Sequence, residues 1–156
     1  MKTLGRMYPA EKIAKYVINF HSVNKMKLTV MRLQPILYYI QGFSIWIRKG
    51  TLFSDTFETW ELLAAVPGVY YKYGGFGGAD ISRTFNGLDF LEDEILLMNN
   101  VISYLSQFET ITLCKNMREE DPYKYVYKVY GVNSMIPNEC LEKYFGSLTN
   151  GITINI

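Results

Sequence analysis

The stretch that most constrains this chain is Met31 to Ile47, Met-Arg-Leu-Gln-Pro-Ile-Leu-Tyr-Tyr-Ile-Gln-Gly-Phe-Ser-Ile-Trp-Ile. Leu33, Ile36/Leu37, Ile40, Phe43/Ser44 and Ile47 recur at three- and four-residue spacing, which lays an apolar stripe along a helix. Leu37, Tyr38, Tyr39 and Trp46 widen the stripe until little surface is left for water. A helix that is apolar nearly all round belongs at the centre of a domain, with other helices packed on it. Thr29 is placed to cap its start. Pro35 must either delay that start to about Gln34 or bend the helix. Arg48 and Lys49 suit the negative end of the dipole, and Gly50 suits a left-handed stop.

The flanking segments read as shorter helices. Pro9 opens the first, with Ile13, Tyr16/Val17 and Phe20 inward and His21 near its end. Thr51-Leu52-Phe53 is a brief extended piece. Trp60 to Tyr73 is a turn and short helix, with Val66, Val69 and Tyr70 inward and Pro67 near its start. Gly74-Gly75-Phe76-Gly77-Gly78 has the most accessible backbone states in the chain. Asp89 and Glu92 form a capping-box pattern, and Leu91, Ile95, Met98, Val101/Ile102 and Leu105 mark one face of a second long helix. A shorter helix holds Phe108, Ile111 and Cys114. Asp121-Pro122 opens a helix through Tyr130 ended by Gly131, although the alternation in Tyr123–Lys128 also fits a strand. Pro137 opens a last helix through Phe145. The tail Gly151-Ile-Thr-Ile-Asn-Ile alternates like an edge strand, and its expected partner is the piece near Leu52. The fold class is mainly α: a single-domain helical bundle around a buried central helix, with a small β element formed by short extended segments. Its core covers about residues 8–145, with 146–156 as an extended tail.

At 156 residues, about half of them hydrophobic, the chain can bury a sizeable core without staples. Two cysteines do not make a disulfide scaffold. The N-terminus lacks an apolar signal sequence, and Ile36–Ile47 is too short and too interrupted to span a bilayer. A soluble, cytoplasmic protein without a membrane partner is expected. The net charge of +1 conceals a gradient: residues 1–50 carry nine Lys or Arg against Glu11, and residues 51–156 carry seven basic and fourteen acidic side chains. The asymmetry fits a basic face for an acidic partner, or two halves of one domain that complement each other. Because the basic residues are dispersed without a recognition-helix pattern, the second reading is preferred and no direct nucleic-acid binding is expected.

Catalytic constellations are sparse. His21 is the single histidine, and no spacing ties it to Cys114 or Cys140. A zinc site would need all three plus a carboxylate gathered from distant segments. Glu92-Asp93-Glu94 and Glu119-Glu120-Asp121 sit at helix starts, where dipole and capping explain them as solvated acids. The glycine segment lacks the preceding strand and the Lys-Ser/Thr ending of a phosphate loop. No cofactor, metal or catalytic residue is assigned.

Several of these segments, in order, resemble the Panacea domain, the family of SocA-like antitoxins and phage-associated GepA-like proteins. Ile13-Ala14-Lys15-Tyr16 is similar to its opening. Met31–Gly42 is similar to its most recognisable motif, a Leu-Gln followed by an apolar pair, Tyr-Tyr and Gln. Leu52-Phe53, Glu58-Thr59-Trp60, Pro67-Gly68-Val69-Tyr70, Asp121-Pro122-Tyr123 and Tyr144-Phe145 fit later segments. Leu63-Ala64 stands where the family has Gly-Pro, Tyr123 replaces a Trp, Pro35 replaces a basic helix former, and the family's Thr-His is missing. The resemblance implies a mostly helical, non-enzymatic domain that neutralises a toxin encoded beside it by direct contact or by presenting it to a protease. A monomer or homodimer is expected.

Two protein-binding readings follow, with an enzyme as a third. The first is an antitoxin of a toxin–antitoxin system. The second is a phage-encoded, anti-CRISPR-type inhibitor of a host-defence nuclease, whose acidic runs would compete for a basic nucleic-acid channel. The expected interface lies between Trp60 and Phe76, since Tyr and Trp are over-represented among residues that carry binding energy. Trp60 and Tyr70 read more naturally as core. Tyr71, Lys72, Tyr73 and Phe76 are the surface candidates, with Phe76 exposed on its glycine tether.

Overall fold

The computed structural model describes residues 7–155, in which helix α2 (Val30–Arg48) is the post around which everything else is arranged. Thirteen of its nineteen residues are buried, so no side of its first four turns faces water. Before it comes α1 (Ala10–Val23) and after it β1 (Phe57–Thr59), β2 (Ala64–Ala65), α3 (Pro67–Tyr73), α4 (Glu92–Leu105), α5 (Thr110–Glu119), α6 (Asp121–Tyr130), β3 (Met135–Ile136) and α7 (Asn138–Gly146). Helices α1, α4, α5 and α7 all pack on α2, as a mainly helical domain with one apolar centre requires. Gly42 lets α7 come close, because a Cβ there would sit 2.6 Å from the ring of Phe145.

Apolar burial alone does not position the non-helical segments; hydrogen bonds from α2 do. Gln41, fully buried, donates to the Phe53 carbonyl at 2.7 Å and accepts from the Leu52 and Phe53 amides at 2.7 and 3.2 Å. Gln34, about two turns earlier, accepts from the Val66 amide at 3.0 Å and donates to the Val30 carbonyl at 3.2 Å. Each amide thus satisfies backbone groups that no sheet reaches. The sheet itself is small and antiparallel, in the order β2-β1-β3, with Glu58 opposite Ala65 on one side and Met135 on the other.

The segment from Ala79 to Leu91 has no regular structure, yet it is clipped to α1 along its length. Asn19 and Phe85 exchange two hydrogen bonds of 2.8 Å, Ile81 donates to the Leu28 carbonyl, and Phe90 meets Tyr8 and Tyr16 edge-on. Lys12 reaches Asp89 at 3.1 Å, and Arg48 faces Glu94 at 3.7 Å. Both pairs join the basic first third of the chain to its acidic remainder, which is the complementation read from the charge gradient.

Several local expectations need correction. α2 begins at Val30, where Thr29 accepts from the Arg32 amide, and carries Pro35 inside its second turn. Its left-handed stop is Lys49 (φ 65°) and not Gly50; Lys49 is exposed, and its ammonium binds the Trp46 carbonyl at 3.1 Å. Ile47 is 54% exposed, because the last turn of α2 projects past its neighbours. α4 begins at Glu92, with Asp89 upstream on Lys12; the cap is made by Glu94, whose carboxylate accepts from the Leu91 amide at 2.8 Å. This later start turns Leu97 inward and Leu91 out. Ile111 likewise faces solvent, and Phe108 precedes α5. Residues 147–155 form no strand. The extended piece at Phe53 pairs with Tyr8 in a parallel bridge, and the tail instead runs over α5, with the Asn155 amide on Asn116 at 2.8 Å. Ile156 lies outside the described residues.

Candidate protein-binding surface

Trp60 is the hub of an exposed aromatic surface. The strand β1 ends at Thr59, whose hydroxyl donates to the Gly131 carbonyl at 2.7 Å and accepts from the Ser134 amide at 3.1 Å. This fastens the loop after α6 beside Trp60. On the other flank the Trp60 ring meets Tyr70 at 4.9 Å and Tyr71 at 5.7 Å between centroids. Its indole N–H donates to Glu58 at 2.9 Å. The Tyr123 hydroxyl donates to the Trp60 carbonyl, and the Tyr123 ring stacks on Tyr127 at 5.5 Å and 13°. α3, β1 and α6 are thereby held as one wall, and Arg118 ties the turn beneath it by donating to the Leu62 carbonyl at 2.6 Å.

What this wall shows to solvent is largely apolar. Tyr71 is 73% exposed and Tyr130 69%, and Leu62, Tyr127, Val129, Val132 and Met135 are exposed as well. Only Pro122, Tyr123 and Val126 of α6 are buried. A helix that buries three residues out of ten and presents aromatic side chains outward has apolar surface to spare, the usual mark of an interaction site. Lys124 and Lys128 sit among these tyrosines, exposed and without an ion pair among the described residues. Along its far side, Tyr125 lines a cleft of about 590 Å³ between α6 and α7, with Asp121, Lys143 and Tyr144.

Of the four surface candidates, the structure leaves Tyr71 and Lys72 outside and takes the other two in. Lys72 is exposed but holds Glu11 at 2.7 Å. Tyr73 is buried, because the last turn of α3 rolls it beneath the helix towards α1. Phe76 is half-buried under the Arg83 guanidinium at 5.4 Å, since Gly74–Phe76 wind into a 3-10 turn that Gly77 closes at φ +58°. Sequence reasoning missed α6 as a surface, although the signal was present: Tyr123–Tyr130 is apolar at more positions than one helix face can bury.

The two acidic runs also need correction, because in each the middle or last acid turns inward. Glu94 is fully buried and accepts from the Tyr8 hydroxyl at 2.5 Å. Glu120, 8% exposed, accepts from the hydroxyls of Tyr38 and Tyr39 at 2.9 and 3.0 Å and from the Asn116 amide at 2.8 Å. Burial raises its carboxyl to about 7 against the pull of these three donors. The same burial raises the tyrosine hydroxyls, Tyr38 well above its ordinary value. The cluster is a structural knot joining α2 to the α5–α6 corner. His21, Cys114 and Cys140 are not gathered: among the described residues no group of three or more His, Cys, Asp or Glu is placed to hold a metal ion. Burial pushes the Cys114 thiol up to about 11, so it stays protonated at neutral pH.

No protein-family model matches the chain, nor does any curated protein or solved structure. No helix among the described residues is long and apolar enough to cross a membrane.

Proposed function

We propose that this chain is a non-enzymatic protein-binding module, a Panacea-like antitoxin that neutralises a protein toxin by direct contact. The observation that carries the reading is the exposed aromatic wall around Trp60. A fixed tryptophan flanked by exposed Tyr71, Tyr127 and Tyr130 has the composition of a binding hot spot, with large apolar rings that lose little conformational entropy when covered. Free Lys124 and Lys128 suit a partner whose contact surface is apolar with carboxylates at its edge. The Panacea resemblance supplies the partner class. The nuclease-inhibitor reading relied on the acidic runs as an electrostatic mimic, and that support is narrower: Glu94 and Glu120 lie inside and Glu119 holds Lys115 at 3.3 Å, which leaves Glu92, Asp93 and Asp121 exposed without an ion pair among the described residues.

Co-expression with the product of the adjacent gene tests the proposal. Growth rescue and co-purification are the expected results, and both should be lost when Tyr71, Tyr127 and Tyr130 are changed together to Ala. A neighbour that is harmless alone, or toxic yet neither rescued nor retained, ends the antitoxin reading.

A further inference from the structure

Another cleft, of about 460 Å³, lies between the end of α2 and α4 and shares no lining residue with the aromatic wall. Its walls are apolar: Phe43 and Ile47 come from α2, and Leu96, Leu97 and Val101 from α4. Ile47 is 54% and Leu96 61% exposed, so two large aliphatic side chains on this lining are left in water. Apolar walls alone do not say what belongs between them.

The specific sign is Arg48, which also lines the cleft. Its side chain is 12% exposed, and its Nη2 lies 3.7 Å from Glu94 Oε2, beyond hydrogen-bond length. Its Nη1 is buried and has no acceptor among the described residues. Glu94 is no part of the lining, so the Arg48 side chain reaches from the cleft wall to that buried carboxylate. A buried guanidinium N–H without an acceptor is costly, and native proteins meet such a group with ordered water or a bound molecule. Charge, by contrast, is already balanced. Glu94 opposes the guanidinium, and Asp93, exposed on the same lining, repels anions. The site lacks an acceptor oxygen and not a negative charge.

We infer that this cleft binds a small, neutral, apolar molecule ending in a carbonyl oxygen, such as a medium-chain ketone or ester. Its hydrocarbon chain lies against Ile47 and Leu96, and its oxygen accepts from Arg48 Nη1. The cleft volume falls within the usual range for small-molecule sites. Water would satisfy Nη1 but leave the aliphatic walls uncovered, whereas a ketone does both. A fatty-acid carboxylate of the same length is the poorer ligand, because it adds a second negative charge beside the Arg48–Glu94 pair and faces Asp93 as well.

Titration of the full chain with 2-heptanone and with sodium heptanoate at matched ionic strength, followed by side-chain NMR shifts, tests the inference. The ketone should give saturable shifts at the Ile47, Leu96, Leu97 and Val101 methyls. The Arg48 guanidinium resonances should move with the same midpoint. Heptanoate should bind at least about threefold more weakly, the worth of one exposed charge. Leu96→Ala, an exposed change to a residue that favours helix, should weaken the ketone about fivefold by removing about 40 Å² of apolar contact. Shifts that grow linearly without saturating, methyl shifts with unmoved Arg48 resonances, heptanoate that binds as tightly as the ketone, or a folded Leu96→Ala protein with undiminished affinity would each overturn the proposal.

Discussion

Helices α2 and α6 are both crowded with apolar and aromatic residues, and the fold uses them in opposite ways. α2 buries thirteen of nineteen residues and anchors five other helices; α6 buries three of ten and turns Tyr125, Tyr127, Val129 and Tyr130 outward. The difference lies in what their polar groups do. On α2, Gln34, Tyr38, Tyr39 and Gln41 each find a buried partner, so the helix can be enclosed without leaving polar atoms unsatisfied. On α6, Lys124 and Lys128 have no such partner among the described residues and keep the outer face in water. Apolar content alone does not say where a helix goes; the hydrogen bonds available to its polar residues decide it.

The largest expected effect comes from breaking the α2 side of this contrast. Phe145→Ala empties a fully buried site against α2 and should cost about 3–5 kcal/mol in urea unfolding. Gly42→Ala forces a methyl into the same ring and should cost about 1–3 kcal/mol. If the Phe145 ring is what Gly42 makes room for, the Gly42→Ala cost shrinks in a Phe145→Leu background. An unchanged cost there would show that Gly42 serves something else.

Next is the knot beneath the α5–α6 corner. The Glu120 carboxyl is raised from 4.5 to about 7 on folding. The folded protein therefore holds a proton that the unfolded chain has released between those values, and stability falls as pH rises through that window. The full contribution is present below pH 4.5, and the loss is complete above pH 7, amounting to about 3 kcal/mol. Unfolding free energies measured across this range should show the decline in wild type and a flatter profile in Glu120→Gln. A wild-type profile that rises over the same window would mean that the three donors outweigh burial.

How far the sequence discloses the fold follows the same division. The central helix, its Thr29 cap, the short α3 at Pro67 and the α6 start at Asp121-Pro122 are legible, because spacing and caps are local. The roles of Gln34, Tyr38, Tyr39 and Gln41 are not, since the partners they bring in from other segments lie 11 to 82 residues away. These are polar residues at the centre of α2, and each has a structural role inside the fold. The acidic runs mislead for the same reason. Glu94 and Glu120 look like their neighbours in sequence and differ only in which tyrosine hydroxyl they meet. The candidate surface is half legible: Tyr71 is placed correctly, Tyr73 is one turn-face away from it and buried, and α6 is overlooked.

A smaller effect should come from the start of α2. Thr29→Ala removes the acceptor for the Arg32 amide and should lower stability by about 1 kcal/mol. Thr29→Ser, which keeps the oxygen, should recover most of it. Equal losses for Ala and Ser would point to the threonine methyl and not the cap.

The smallest effect on stability is the most informative about function. Tyr130→Ala and Tyr71→Ala each remove a ring that is mostly in water, so the unfolding free energy should move by no more than about 0.5 kcal/mol. Tyr127→Ala should cost somewhat more, because it also unstacks Tyr123. If the wall around Trp60 is where the partner sits, the near-neutral substitutions should weaken the complex by about 2 kcal/mol or more apiece. Binding and folding would then be carried by different residues: α2 could be damaged only at the expense of the fold, and α6 only at the expense of the complex. A calorimetric titration of each variant with the co-purified partner, beside its urea midpoint, separates the two. Variants that lose stability in step with affinity would place Tyr71 and Tyr130 in the scaffold and leave α6 without the role assigned to it.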